Sequence, residues 1–226
     1  MFDSFVPLNR SPYFHKQKDG SLRHETQVAA DRAIDFIAQA KKEAEPFCLS
    51  VSFNASHAED GDKKNHFPYP KVVGSLYEGV KMPQPKLSDP KVFESQPEFL
   101  RKSMNRDRYF WRWDTEEKYQ NNMRNYLRMI SGIDHAIGRV IKELESQGMA
   151  DNTVIIYMAD NGYYAASRGF AGKWSHYEES QRGPLIIFDP RAKKEARGKI
   201  EKGIALNVDI APTIVALAGA RMPQGY

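Results

Sequence analysis

The sequence predicts an α/β fold, a sheet with helices on its faces, and three observations carry that prediction. Apolar residues recur at three- and four-residue spacing in two segments, near 26–45 and 115–147. Near-continuous apolar runs at 47–53, 153–158 and 184–188 read as strands covered on both faces. Helical and strand patterns alternate along the chain, and in such sheets ligand sites gather where strands end.

Residues 1–25 are polar and irregular, punctuated by Pro7, Pro12 and Gly20. From Thr26, a plausible N-cap, the positions Ala29, Ala30, Ala33, Ile34, Ile37 and Ala38 form one apolar helical face, and Pro46 closes the segment. Phe47 to Phe53 then reads as a strand. Cys48 lies in this apolar setting and is expected to be a buried, inert thiol; as the one cysteine it has no internal partner. Residues 54–113 are rich in Pro, Lys, Asp and Gly with weak periodicity, which predicts a surface excursion, either a rim of a site or a segment with no specific role. The next segment, Thr115 to Gln147, is a long helix with Tyr119, Met123, Tyr126, Leu127, Ile130, Ile133, Ile137, Val140, Ile141 and Leu144 at helical period, stopped by Gly148. Thr153 to Met158 is a β-branched strand, Pro184 to Phe188 another, and Asp209 to Leu217 a short helix with Pro212 in its first turn.

Composition narrows the function classes. The chain has 226 residues, 41% hydrophobic and 27% charged, which suits a folded globular protein and not a disordered one. Its 33 basic and 29 acidic side chains leave a net charge of +4, scattered rather than massed, which argues against nucleic-acid binding. No run approaches the ~20 apolar residues of a membrane span, and no signal peptide is visible at the N-terminus.

Three strand-end segments carry chemistry. Asp160-Asn161-Gly162 follows a buried-type strand; such a triplet is a common turn, yet its carboxylate and amide oxygens suit a hard cation such as calcium. Lys173 follows the small-residue loop Gly169-Phe170-Ala171-Gly172, which allows its ammonium to reach inward toward an anionic oxygen. His57, just past the first strand, is placed to protonate a leaving group.

Together these parts resemble the sulfatase family of the alkaline-phosphatase-like superfamily. The resembling stretches are 46–57 (ending Phe-Asn-Ala-Ser-His), 130–140, 152–162 (ending Ala-Asp-Asn-Gly), 172–187 (Gly-Lys-Trp-Ser-His-Tyr-Glu-Glu through Pro-Leu-Ile-Ile) and 208–220. Their order and spacing match along most of residues 26–220. The resemblance implies a sulfuric ester hydrolase built on a partial alkaline-phosphatase-like sheet with helices on both faces. By that resemblance Asp160 and Asn161 are metal ligands, usually for Ca2+, Lys173 touches the sulfate ester, and His57 binds sulfate and protonates the departing alcohol. Arg182, Glu178 and Asp209 match positions that look structural. The nucleophile implied is a formylglycine made from cysteine in a Cys-x-Pro-x-Arg context.

That motif is absent, since Cys48 is followed by Leu49-Ser50-Val51, and the early aspartates of the metal site are absent too. Residues 1–220 are therefore read as a partial catalytic domain lacking its N-terminal third, and 221–226 as the start of a truncated C-terminal region. On this reading the isolated chain turns over no sulfate ester and exposes sheet edges and apolar faces. Two departures, Ser56 before the histidine and Gly183 before Pro184, add local backbone freedom. The resemblance further implies a sulfated small molecule or glycan as substrate and a periplasmic or secreted location; oligomeric state is unread. A non-catalytic sulfatase-like binding domain, and a phosphatase or phosphodiesterase of the same superfamily, stand as alternatives.

Overall fold

The structure, a computed structural model, describes residues 3–9 and 11–222. The predicted C-terminal remnant therefore falls mostly outside the described residues, which reach only Arg221 and Met222 of it.

The N-terminal stretch is more ordered than its composition suggests. Strand β1 (Phe14–Lys16) pairs antiparallel with β2 (Leu22–His24). Gly20 turns the hairpin at φ 82, and Tyr13 at its base is buried. Helix α1 (Glu25–Glu43) follows at once. Its N-cap is His24, not the predicted Thr26: the His24 ring nitrogen accepts from the Thr26 backbone, and the Gln27 side chain returns to the His24 N–H at 3.1 Å. The helix stops at Ala44 in left-handed geometry, ahead of Pro46.

The long predicted helix appears as α5 (Glu116–Ser146), capped by Thr115 and stopped where Gly148 adopts φ 66. Helix α1 packs on α5 through small residues: Ala29, Ala30, Ala33 and Ile37 are buried on one side, Met129, Gly132, Ile133 and Ala136 on the other. Asp31 of α1 receives Arg139 of α5 at 2.6 Å and Arg23 of β2 at 2.8 Å, tying the three elements together.

Residues 54–113 are not the surface excursion that their weak periodicity predicts. They carry α2 (Pro90–Glu94), α3 (Glu98–Arg101) and α4 (Met104–Arg112). Phe67, Met82 and Trp113 from this segment form the core with Tyr13, Tyr119, Met129 and Ile133. Isolated large apolar residues between prolines fill gaps against α5 without needing a period of their own. Gly132 lets Pro70 approach, since a Cβ there would lie 2.7 Å from the proline ring.

Strands β3 (Ile155–Met158) and β4 (Leu185–Phe188) pair antiparallel, with Ile156 opposite Ile187. The short α6 (Glu178–Gln181) precedes β4, and α7 (Ile210–Leu217) lies near the C-terminus. Among the described residues there are two sheets, each two-stranded. Phe47–Phe53 is not a strand: it runs without pairing, because no described strand lies beside it to complete a ladder. Cys48 is accordingly exposed, not buried. The β4 side chains are exposed as well, Ile186 by 60%.

Candidate active site

The His57 loop is clamped from two sides. The Tyr13 hydroxyl donates to the carbonyls of Asn54 (3.2 Å) and His57. From the first turn of α1, the buried Glu25 carboxylate accepts the Ala55 N–H at 2.8 Å. Burial raises the Glu25 pKa, against the lowering pull of the Ala55 and Asn54 backbone N–H groups. His57 Nδ1 lies 2.8 Å from the Ala58 carbonyl. A carbonyl only accepts, so Nδ1 carries a proton and this bond orients the ring. Three residues on, Asp60 receives Arg108 at 2.8 Å and also Arg112, fixing the loop to α4.

Asp160-Asn161-Gly162 sits at the carboxyl end of β3, as predicted. Gly162 is required by close approach: its N–H bonds the Ser180 carbonyl at 2.8 Å, and a Cβ would stand 2.3 Å from the Glu179 carbonyl oxygen. Gly183 answers the same need, with its missing Cβ 3.0 Å from the Ala159 carbonyl, and so serves close packing rather than freedom. Asn161 donates its amide to the Gly162 carbonyl at 2.7 Å. The exposed Asp160 carboxylate has no ion pair among the described residues, while its backbone carbonyl accepts from Asn207 at 2.9 Å. Asp209, read as structural, does cap locally by accepting the Leu206 N–H at 2.8 Å. Glu178 and Arg182 form only an exposed pair at 3.6 Å, of little consequence for stability.

Lys173 is half-buried, and its ammonium has no carboxylate partner among the described residues. Its loop is held by Asn105 of α4, whose side-chain amide donates to the Lys173 carbonyl at 2.6 Å and whose backbone carbonyl accepts the Ala171 N–H at 2.9 Å. Gly172 adopts φ 91 against the Asn105 side chain, 2.7 Å from where a Cβ would be.

A tyrosine spine joins the three loops. Tyr126 of α5 faces Ser56, the neighbour of His57, and its ring lies 5.4 Å from that of Tyr163. Tyr163 directly follows Asp160-Asn161-Gly162, and the next residue, Tyr164, donates its N–H to the Gly172 carbonyl at 3.0 Å, one residue before Lys173. Burial pushes the Tyr163 hydroxyl up to about 12, so it stays neutral.

The donor set fits part of a calcium site. The Asp160 carboxylate and the Asn161 amide oxygen are hard oxygens adjacent in sequence just past β3. Among the described residues no three His, Cys, Asp or Glu side chains gather as a metal-holding group, so these two cannot complete a shell of six to eight oxygens. The supporting residues Tyr13, Glu25, Asp60, Asn105 and Arg108 were not legible as site residues, since each acts through a contact distant in sequence. Glu25 alone had a signal, an acidic side chain on the apolar side of α1.

Comparison with known proteins places the chain in a family. The sulfatase family model matches residues 2–220. An N-acetylglucosamine-6-O-sulfatase of Bacteroides thetaiotaomicron is 43% identical over 107 residues, 47% of this chain and 19% of that protein. An arylsulfatase of Volvox carteri is 31% identical over 218 residues, 87% of this chain and 32% of that protein. A structure solved with its substrate, D-glucosamine-2-N,6-O-disulfate, superposes with a TM-score of 0.69 at 26% identity, covering 92% of this chain and 52% of that one. The chain thus spans about a third or less of these curated relatives and about half of that structure. No helix among the described residues is long and apolar enough to cross a membrane. With its motifs placed on three loops around one tyrosine spine and a family match over nearly its whole length, the chain belongs to the sulfatase family.

Proposed function

We propose that the protein carrying this chain hydrolyses sulfate esters of carbohydrates, with Ca2+ held in part by Asp160 and Asn161. The observation that carries the reading is the convergence of the His57, Asp160–Asn161 and Lys173 loops on Tyr126, Tyr163 and Tyr164. The Lys173 ammonium, lacking a carboxylate partner among the described residues, draws an anionic sulfate oxygen and disperses charge that builds during reaction. His57 donates from Nε2 to the departing alcohol oxygen, while Nδ1 remains bonded to Ala58 and keeps the ring oriented. Asp160 and Asn161 supply hard oxygens to the cation. Calcium, when bound, would neutralise sulfate oxygens, and the family resemblance implies a formylglycine as the nucleophile.

A carbohydrate substrate is supported by the likeness to an N-acetylglucosamine-6-O-sulfatase and to a structure holding a sulfated glucosamine. A secreted or periplasmic location rests on the family resemblance alone. The test is hydrolysis by the protein at its full encoded length, comparing glucosamine 6-sulfate with glucosamine 6-phosphate, with and without calcium chelation. Sulfate release that exceeds phosphate release and falls on chelation is expected. Preferred release of phosphate supports the phosphatase alternative, and release of neither supports a binding domain.

A further inference from the structure

Trp174 follows Lys173 directly and is unusual in three ways. It is 58% exposed, although an indole is among the side chains that gain most from burial. Its backbone sits at φ 74, a region that bulky residues rarely occupy. Its ring is nonetheless fixed, because the Arg108 guanidinium lies 4.5 Å from the ring centroid. Arg108 is itself held by Asp60 at 2.8 Å. Backbone strain and exposure without compensating burial point to a functional constraint.

The support for Trp174 and the support for Lys173 are one structure. Asn105 holds the Lys173 carbonyl, and Arg108, three residues later on α4, backs the Trp174 ring. Residues three apart on a helix share a face, so α4 fixes the lysine and the indole together. Asp60 links that face to the His57 loop. The indole thus has a guanidinium over its ring and stays largely exposed, one residue after the group assigned to the sulfate. An exposed indole beside the Lys173 ammonium matches a sulfated pyranose, whose apolar C–H face stacks on an aromatic ring while its sulfate meets the cation.

We propose that Trp174 is the stacking platform for the sugar ring that bears the sulfate, and that Arg108 is the positioning residue that sets the plane of its indole. This rests on the sulfatase reading of Lys173 but assigns a substrate contact that the reading does not contain.

The experiment titrates the full-length protein, in calcium, with glucosamine 6-sulfate, glucosamine and inorganic sulfate by calorimetry, and follows the indole N–H resonances by NMR. The Trp174 signal is identified by its loss in Trp174→Phe. The sulfated sugar is expected to shift that signal, and its affinity to fall about tenfold in Trp174→Ala and recover to within about threefold in Trp174→Phe. Arg108→Met is expected to weaken the sulfated sugar, while inorganic sulfate binds both Trp174 variants as it binds the wild type. If Trp174→Ala binds the sulfated sugar unchanged while Lys173→Ala loses sulfate, the platform is refuted and the sulfatase reading stands. If the wild type binds neither sulfate nor the sulfated sugar, both fall together.

Discussion

Two regions of this chain bury their apolar residues to very different extents. Around α1, α5 and the 54–113 segment, Phe67, Met129 and Ala136 are fully buried. In β4, Leu185, Ile186, Ile187 and Phe188 are between 39% and 60% exposed, although their composition is at least as apolar. The helical region closes its core because two amphipathic helices and a long loop supply three surfaces to one another. A two-stranded ribbon has two faces and two edges and covers few of them by itself. Apolar composition therefore states what a segment needs, while burial depends on whether a neighbour is present to meet the need. The candidate site lies at the junction, with its lysine and histidine loops fastened to the helical region and its Asp-Asn pair carried by the ribbon.

The sharpest way to break this contrast is to truncate one side chain in each region. Phe67→Ala removes a fully buried ring packed between Trp113 and Tyr126 and is expected to cost about 3–5 kcal/mol. Ile187→Ala, at an exposed strand position, is expected to stay within about 0.5 kcal/mol. Denaturant unfolding of the two variants checks this, and equal losses would abolish the distinction.

The next largest effect is on pH. His24 is fully buried, and burial lowers its pKa to about 4 despite the raising influence of the Pro68 carbonyl. Its Nε2–H donates to that carbonyl while Nδ1 accepts from Thr26, so protonation at Nδ1 breaks the α1 cap. The unfolded chain binds this proton near 6.5 and the folded chain only near 4. Stability is thus fully present above 6.5 and is lost as pH falls through that window, by about 3 kcal/mol in all. Glu25 works in the opposite sense, since its raised pKa makes the folded state hold a proton that the unfolded state has released. Subtracting the pH profile of His24→Asn from that of the wild type isolates the histidine, and thermal melts between pH 4 and 7 provide both profiles.

A smaller effect tests the junction. Gly162→Ala sets a methyl against the fixed carbonyls of Glu179 and Arg182 and is expected to cost roughly 1–3 kcal/mol. The strain falls on the turn bearing Asp160 and Asn161, so calcium affinity should drop by more than in Gly138→Ala, where a Cβ meets open space.

Much of this arrangement was legible in the sequence wherever a local rule decides the outcome. Periodicity placed α5 to within a residue at each end, because Thr115 and Gly148 act on their own neighbours. The chemistry-bearing triplet was found at the end of β3 for the same reason. Failures came where partners lie far along the chain. The segment 47–53 has strand composition but no adjacent strand, and Cys48 is exposed with it. The 54–113 segment lacks periodicity, yet Phe67 and Trp113 meet Tyr119 and Tyr126 of α5 across that distance. His24 capped α1 in place of Thr26 because a buried ring with Pro68 behind it outcompetes a hydroxyl. In the site, Lys173, His57, Asp160 and Asn161 came from motif resemblance, whereas Asn105, Asp60 and Tyr13 act through contacts that no local pattern announces.

The most direct test of the account measures sulfate released from glucosamine 6-sulfate by the full-length protein and by its Lys173→Ala and His57→Ala variants. The account predicts that each variant loses about 100-fold or more in kcat/KM while retaining the wild-type melting temperature. Variants that release sulfate at the wild-type rate would contradict it.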